Sequence, residues 1–101
     1  MAEDLIKKKI HTMLKHRDHP KLPLKIVKAS NGYIIGHQRQ RYNSDELFIE
    51  ECAKIQPVKS KKIYKLYWKR ADLKWHGYGE YKTLEDAIEE IDEDPNGCFF
   101  G

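Results

Sequence analysis

Two tryptophan-bearing runs near the C-terminus, residues 63–69 (Ile-Tyr-Lys-Leu-Tyr-Trp-Lys) and 73–78 (Leu-Lys-Trp-His-Gly-Tyr), constrain the fold more than anything else in the chain. β-Branched and aromatic residues suit a pleated, half-buried surface, and the short Arg70-Ala71-Asp72 link suits a tight turn, so the two runs should pair antiparallel. Alternation puts Tyr64, Leu66 and Trp68 on one face of the first strand and Lys65, Tyr67 and Lys69 on the other. In the second, Leu73 and Trp75 alternate with Lys74, His76 and Tyr78. The simplest arrangement buries Leu66, Trp68, Leu73 and Trp75 and turns a mixed basic and aromatic face toward water. Each large apolar side chain so buried stabilises by about 1.5–3 kcal/mol before entropy is charged.

A capped amphipathic helix follows. Thr83 with Asp86 three residues later makes a capping-box-like pair, and Leu84, Ala87, Ile88 and Ile91 fall on one apolar stripe with Glu85, Glu89 and Glu90 opposite. Pro95 and Gly97 stop it. A helix of about ten residues is marginal alone in water, so its stripe must dock, and the sheet is the available partner.

Upstream, residues 3–17 read as a second amphipathic helix. Ile6, Ile10, Met13 and Leu14, with Leu5 beside them, form its buried stripe; Glu3 and Asp4 suit its N-terminus, and Lys15, His16 and Arg17 its C-terminus. Pro20 and Pro23 set an extended connector. Residues 24–29 and 33–42 read as two strands joined at Ser30-Asn31-Gly32. In the latter, Tyr33, Ile35, His37, Arg39 and Arg41 share a face, and neither face is cleanly apolar, which predicts a strand that protrudes or lies at an edge. Asn43-Ser44-Asp45-Glu46 is a turn. Residues 47–56 alternate as a strand through Leu47, Ile49, Ala53 and Ile55, but Glu51 interrupts the pattern and Phe48 and Cys52 point the other way. A short helix is the alternative there, and a bulge would reconcile the two faces. The fold class that results is α+β, α-β-β-β-β-α: an antiparallel meander of about four strands with a helix at each end of the chain, packed on one sheet face as a single domain over residues 1–101.

Residues 65–101 resemble the C-terminal half of a family of small bacterial proteins known as a domain of unknown function. The resemblance is carried by Leu66-Tyr67-Trp68, Arg70-Ala71-Asp72-Leu73-Lys74-Trp75-His76, Tyr78, the Ile91-Asp92 and Asp94-Pro95 pairs, and the terminal Gly97-Cys98-Phe99-Phe100-Gly101. Ala53-Lys54-Ile55 resembles that family's strand before the hairpin. Members usually carry an aromatic or proline-rich link between hairpin and helix, where this chain has Gly79-Glu80-Tyr81-Lys82. The resemblance implies a bacterial, single-domain protein with a shared C-terminal architecture and supplies no activity.

Charge is unevenly placed along these elements. All 19 Lys and Arg lie at or before Lys82, against 9 acidic residues there, for +10; residues 83–101 carry 7 acidic residues and neither Lys nor Arg, for −7. A basic body attracts polyanions, whereas an acidic helix neutralises part of it or repels nucleic acid from one side; a purely solubilising pattern is the competing explanation. The acidic start of the chain reads as no secretory signal, and no apolar run reaches membrane-spanning length. A cytoplasmic, reduced setting with Cys52 and Cys98 as free thiols is therefore expected.

Chemistry-bearing constellations are few. His16, Asp18 and His19 sit together, but no second ligand pair has zinc-like spacing, so exposed helix-end histidines are the preferred reading. The acid-rich Glu50-Glu51-Cys52-Ala53-Lys54 lacks the Glu-x-Lys step of a metal-dependent nuclease, and Cys98 between Gly97 and two phenylalanines reads as a buried tail residue rather than a nucleophile for His76. No catalytic residue, metal or cofactor is expected. The favoured reading is a binding module for nucleic acid, with Lys65, Tyr67, Lys69, Lys74, His76 and Tyr78 on one face and Arg39 and Arg41 alongside, offering cations to phosphates and rings to bases. The alternative is a protein partner that meets the acidic helix and the Phe99-Phe100 tail, against which stands the option that both rings tuck into the domain's own core.

Overall fold

The computed structural model describes residues 4–100. Helix α1, Leu5–Leu14, starts at Asp4, whose side chain accepts a hydrogen bond from the Lys7 amide at 3.1 Å. A 3-10 turn, Lys15–Arg17, ends it. Ile10 and Leu14 are fully buried, with Ile6 and Met13 packed beside them. Leu5, assigned to the stripe by sequence, is 70% exposed, because it sits a quarter-turn away from the Ile6–Ile10 line. Glu3 lies outside the described residues.

Five strands follow: β1 Leu24–Ala29, β2 Gly32–Gln40, β3 Leu47–Val58, β4 Ile63–Lys69 and β5 Trp75–Tyr81. They form one antiparallel sheet in the order β1-β2-β3-β4-β5. The meander has five strands rather than about four, since residues 47–56 belong to a twelve-residue strand and not a helix. Its broken alternation comes from a bulge. Ile35 faces Ala53 while Gly36 faces Glu51, leaving Cys52 as the extra residue, and the two halves of β3 thereby present opposite parities. Gly36 makes this possible, because a Cβ there would run into the carbonyl oxygen of Glu50.

Strand β2 is interior, paired on both sides, so the edge expected for it is not where it lies. Its Tyr33, Ile35 and His37 are all buried, the histidine at 7% exposure with its Nε2 donating to the Arg17 carbonyl at 3.0 Å. What does protrude is the outer end of β2 and β3, residues 38–40 against 47–49, beyond the reach of β1 and β4.

Helix α2, Leu84–Glu93, is capped by Thr83, whose Oγ1 accepts from the Asp86 amide at 3.1 Å. Both helices pack on the same sheet face. Ile10, Leu14, Leu84, Ala87, Ile88 and Ile91 join Leu24, Ile26, Ile35, Ala53, Ile55 and Leu66 in one core, and truncating any of the large members to Ala would cost about 2–5 kcal/mol.

The chain's end closes the part of that face the helices leave open. Asp94 stands in the left-handed region (φ 44°) at the end of α2, and its carboxylate accepts from the amides of Phe99 at 3.0 Å and Phe100 at 2.8 Å. Phe99 is 6% exposed and lies 4.8 Å, ring to ring, from Tyr78; Phe100 lies 5.5 Å from His37, with the Arg17 guanidinium 4.1 Å above it. Of the two roles open to this tail, the core role is the one seen.

Candidate nucleic-acid interface

With both helices and the tail on one side, the other side of the sheet is left open, and its residues follow from the register. Leu66 and Trp68 lie on the core side opposite Ile55 and Ala53, so Lys65, Tyr67 and Lys69 project from the open side, as alternation predicted. Lys54 and Gln56 flank them on β3; Trp75, Gly77 and Glu80 flank them on β5.

The second tryptophan run does not obey its own alternation. The turn comprises residues 70–74, five rather than three: the Leu73 amide donates to the Arg70 carbonyl at 2.8 Å, and Asp72 accepts from the Lys74 amide at 2.9 Å. Trp75 therefore faces Lys69 on the open side, and His76 faces Trp68 on the core side. Leu73, expected in the core, sits on the turn in the left-handed region (φ 61°) and is 76% exposed. A second bulge, between Leu66 and Tyr67, leaves Tyr78 unmatched and lets its ring reach Phe99 on the core side.

The predicted set accordingly divides. Lys65, Tyr67 and Lys69 stand together on the open face. Lys74 lies in the turn; His76 lies on the core side, donating to Asp72 at 3.0 Å with its ring 6.4 Å from Trp68; and Tyr78 receives a hydrogen bond from Asn96 at 2.9 Å. Arg39 is on the core side, paired with Glu50 at 2.6 Å, and Arg41 is in the loop, paired with Glu46 at 3.4 Å. Both arginines stand beside a carboxylate and away from the lysine row. In their place come Lys54 and Gln56, which had not been assigned to this face, and above all Trp75, which was expected in the core and which a five-residue turn would have placed outside.

On the open face the side chains support one another. Lys54 Nζ lies 5.9 Å from the centre of the Tyr67 ring, and Lys69 Nζ lies 5.5 Å from that of Trp75. The Tyr67 hydroxyl donates to Gln56 Oε1 at 3.0 Å. Lys69 also pairs with Glu51, and Lys65 lies across from Glu80. Lys25 on β1 extends the cations toward the other edge, past Val27 and Ile34. The acids of α2 are on the far side of the sheet, where Glu85 pairs with Lys9 and Asp92 with Arg17. The acids of α2 are thus kept off the open face and are met in their own layer by the lysines of α1, while Glu51 and Glu80 stand among the lysines of the open face.

The core side holds a cleft of about 420 Å³ lined by Arg17, His37, Arg39, Cys52, Phe99 and Phe100. Its arginines are both committed to carboxylates. Burial of Asp92 would raise its pKa, but hydrogen bonds from Arg17 and His16 outweigh that and hold it below the usual value of 3.8. Burial, reinforced by Glu50, pushes the Cys52 thiol up to about 11, so it is a poor nucleophile. Among the described residues no group of three or more His, Cys, Asp or Glu is placed to hold a metal ion, and no helix is long and apolar enough to cross a membrane.

Among the described residues, a five-stranded antiparallel meander with both helices on one face and lysines and aromatic rings on the other defines a small α+β protein whose second sheet face is uncovered. The chain belongs to the family described as a domain of unknown function, DUF3024, which matches it over residues 1–101, beyond the half that its C-terminal motif covers. Comparison with curated proteins and with solved structures gives no match.

Proposed function

We propose that this chain is a nucleic-acid-binding module that works through the open sheet face and carries out no reaction itself. The observation that supports it most is the group Lys54, Tyr67, Lys65, Lys69 and Trp75, in which lysines stand beside aromatic rings on the sheet face opposite the acidic helix. Lysines there would neutralise phosphates and release their counterions, and the rings would contact bases. The alternative, a protein partner bound by the acidic helix and tail, is weakened because Phe99 and Phe100 are committed to the core.

The test is the salt dependence of binding to a fluorescently labelled oligonucleotide. Each lysine that meets a phosphate of a single strand contributes about 0.7 to the slope of log affinity against log salt. K54Q/K65Q should lower that slope by about 1.4, whereas K7Q/K15Q, an equal loss of charge from the helix layer, should leave it nearly unchanged. Equal effects of the two double variants, or affinity that ignores salt, would refute the proposal.

A further inference from the structure

Glycine within a strand costs stability, so each one calls for a reason. Gly32 and Gly36 have theirs: a Cβ at either would collide with β3 backbone, at the carbonyls of Ile55 and Glu50 respectively. Gly77 has none of that kind. A Cβ there would meet nothing within 4 Å, and its φ is not positive. Yet it sits in the paired part of β5, directly opposite Tyr67 on the open face. The surface beside it carries a shallow, open hollow of about 360 Å³ along the β4–β5 bulge, whose lining includes Lys65, Tyr67, Gly77, Gly79 and Glu80. That is within the range of sites that hold small planar ligands.

We infer that this hollow is a nucleobase slot, in which an unpaired base stacks on the Tyr67 ring over the bare backbone of Gly77, making the ligand of the open face a single strand rather than a duplex. The inference rests on the nucleic-acid reading above and sharpens it. Three features converge on it. Tyr67 is held in place by its hydrogen bond to Gln56, so little freedom is lost when a base stacks on it. Lys65 and Glu80 set a hydrogen-bond donor beside an acceptor at the rim, suited to a base edge. Trp75 is the next ring on the same strand face, one strand repeat from Gly77, and offers a second platform for the following base. A duplex, whose bases are already stacked and paired, could use the lysines but not the slot.

Three probes separate the parts: a thymidine 12-mer, an abasic 12-mer with the same phosphates, and a 12-base-pair duplex. The wild type should bind the thymidine strand about ten-fold more tightly than the abasic strand at one salt concentration, the low end of what one or two stacked bases supply. Gly77→Val places a side chain in open space and keeps every lysine, so it should fold and still bind with the same salt slope while losing the preference for bases. Tyr67→Leu serves the same purpose should the valine variant fail to fold. Equal wild-type affinity for thymidine and abasic strands, or a preference that survives both Gly77→Val and Tyr67→Leu, would overturn the slot and leave the electrostatic reading standing. Absence of salt-dependent binding to all three probes would overturn both.

Discussion

Replacing Asp94 should unfasten the C-terminal tail, and a series of substitutions at that position separates two causes. The carboxylate accepts two backbone amides, at 3.0 Å from Phe99 and 2.8 Å from Phe100, while the residue itself occupies the left-handed region at φ 44°. Hydrogen bonds to a charged group contribute about 1.5–3 kcal/mol each when shielded; at this half-exposed site about 1 kcal/mol each is the better figure. A left-handed conformation costs an ordinary L-residue about 1–2 kcal/mol more than Gly. Asp94→Ala loses the bonds, about 2 kcal/mol, and adds only the margin by which Ala tolerates the left-handed region less well than Asp, for about 2–3 kcal/mol in all. Asp94→Gly loses the bonds but escapes the backbone cost, set against about 0.4–1 kcal/mol of added unfolded-chain entropy. Asp94→Asn keeps an acceptor and tolerates the left-handed region. Stability should therefore fall in the order Asp, Asn, Gly, Ala. For a domain of this size 1 kcal/mol shifts Tm by about 4–8 °C, so the alanine variant should melt at least about 8 °C early. Urea unfolding followed by circular dichroism would measure the series. An alanine variant within about 0.5 kcal/mol of wild type, or a glycine variant less stable than the alanine one, would refute the reasoning.

Other consequences follow from the same geometry. Leu73 is exposed and left-handed, so Leu73→Asn should leave stability unchanged or raise it by up to about 1 kcal/mol in urea unfolding, although a leucine beside Trp75 looks like core from sequence. Alkylation of the folded protein at pH 8 followed by mass spectrometry should modify the half-buried Cys98 and spare Cys52, whose thiol is buried and held up to about 11. Because the folded Asp92 carboxyl titrates below its unfolded value of 3.8, its contribution is fully present above that value and disappears as pH falls through the folded one; the stability gap between wild type and Asp92→Asn should shrink from about pH 5 toward pH 2 in urea titrations, and a gap independent of pH would contradict the Arg17 and His16 assignment.

The helices were legible because their signals are local. Thr83 caps, Leu84, Ala87, Ile88 and Ile91 recur at helical spacing, and nothing distant alters either fact. The strand at residues 47–56 was half legible: the bulge offered to explain Glu51 and Cys52 is present, but the residue that permits it is Gly36, on the neighbouring strand. The open face was read correctly on β4 and wrongly on β5 for a similar reason. Alternation assigns faces only relative to a register, and the register was decided by Asp72, which extends the turn to residue 74 and so inverts Trp75, His76 and Tyr78 together. Arg39 and Arg41 carry charge in any sequence count, and only the structure shows that they stand on the core side and in the loop, beside Glu50 and Glu46, rather than on the open face. Gly77 carried no signal, since its meaning lies in what is missing around it.

The open face can be examined directly by titrating the isotopically labelled protein with a short single-stranded oligonucleotide and following amide and indole resonances by NMR. Trp75 indole and the amides of Lys54, Lys65, Tyr67 and Gly77 should shift in a salt-dependent way, with α1 and α2 undisturbed. Shifts confined to the helix layer or to the cleft between Arg17 and His37, or none at low salt, would contradict the assignment of this sheet surface to nucleic acid.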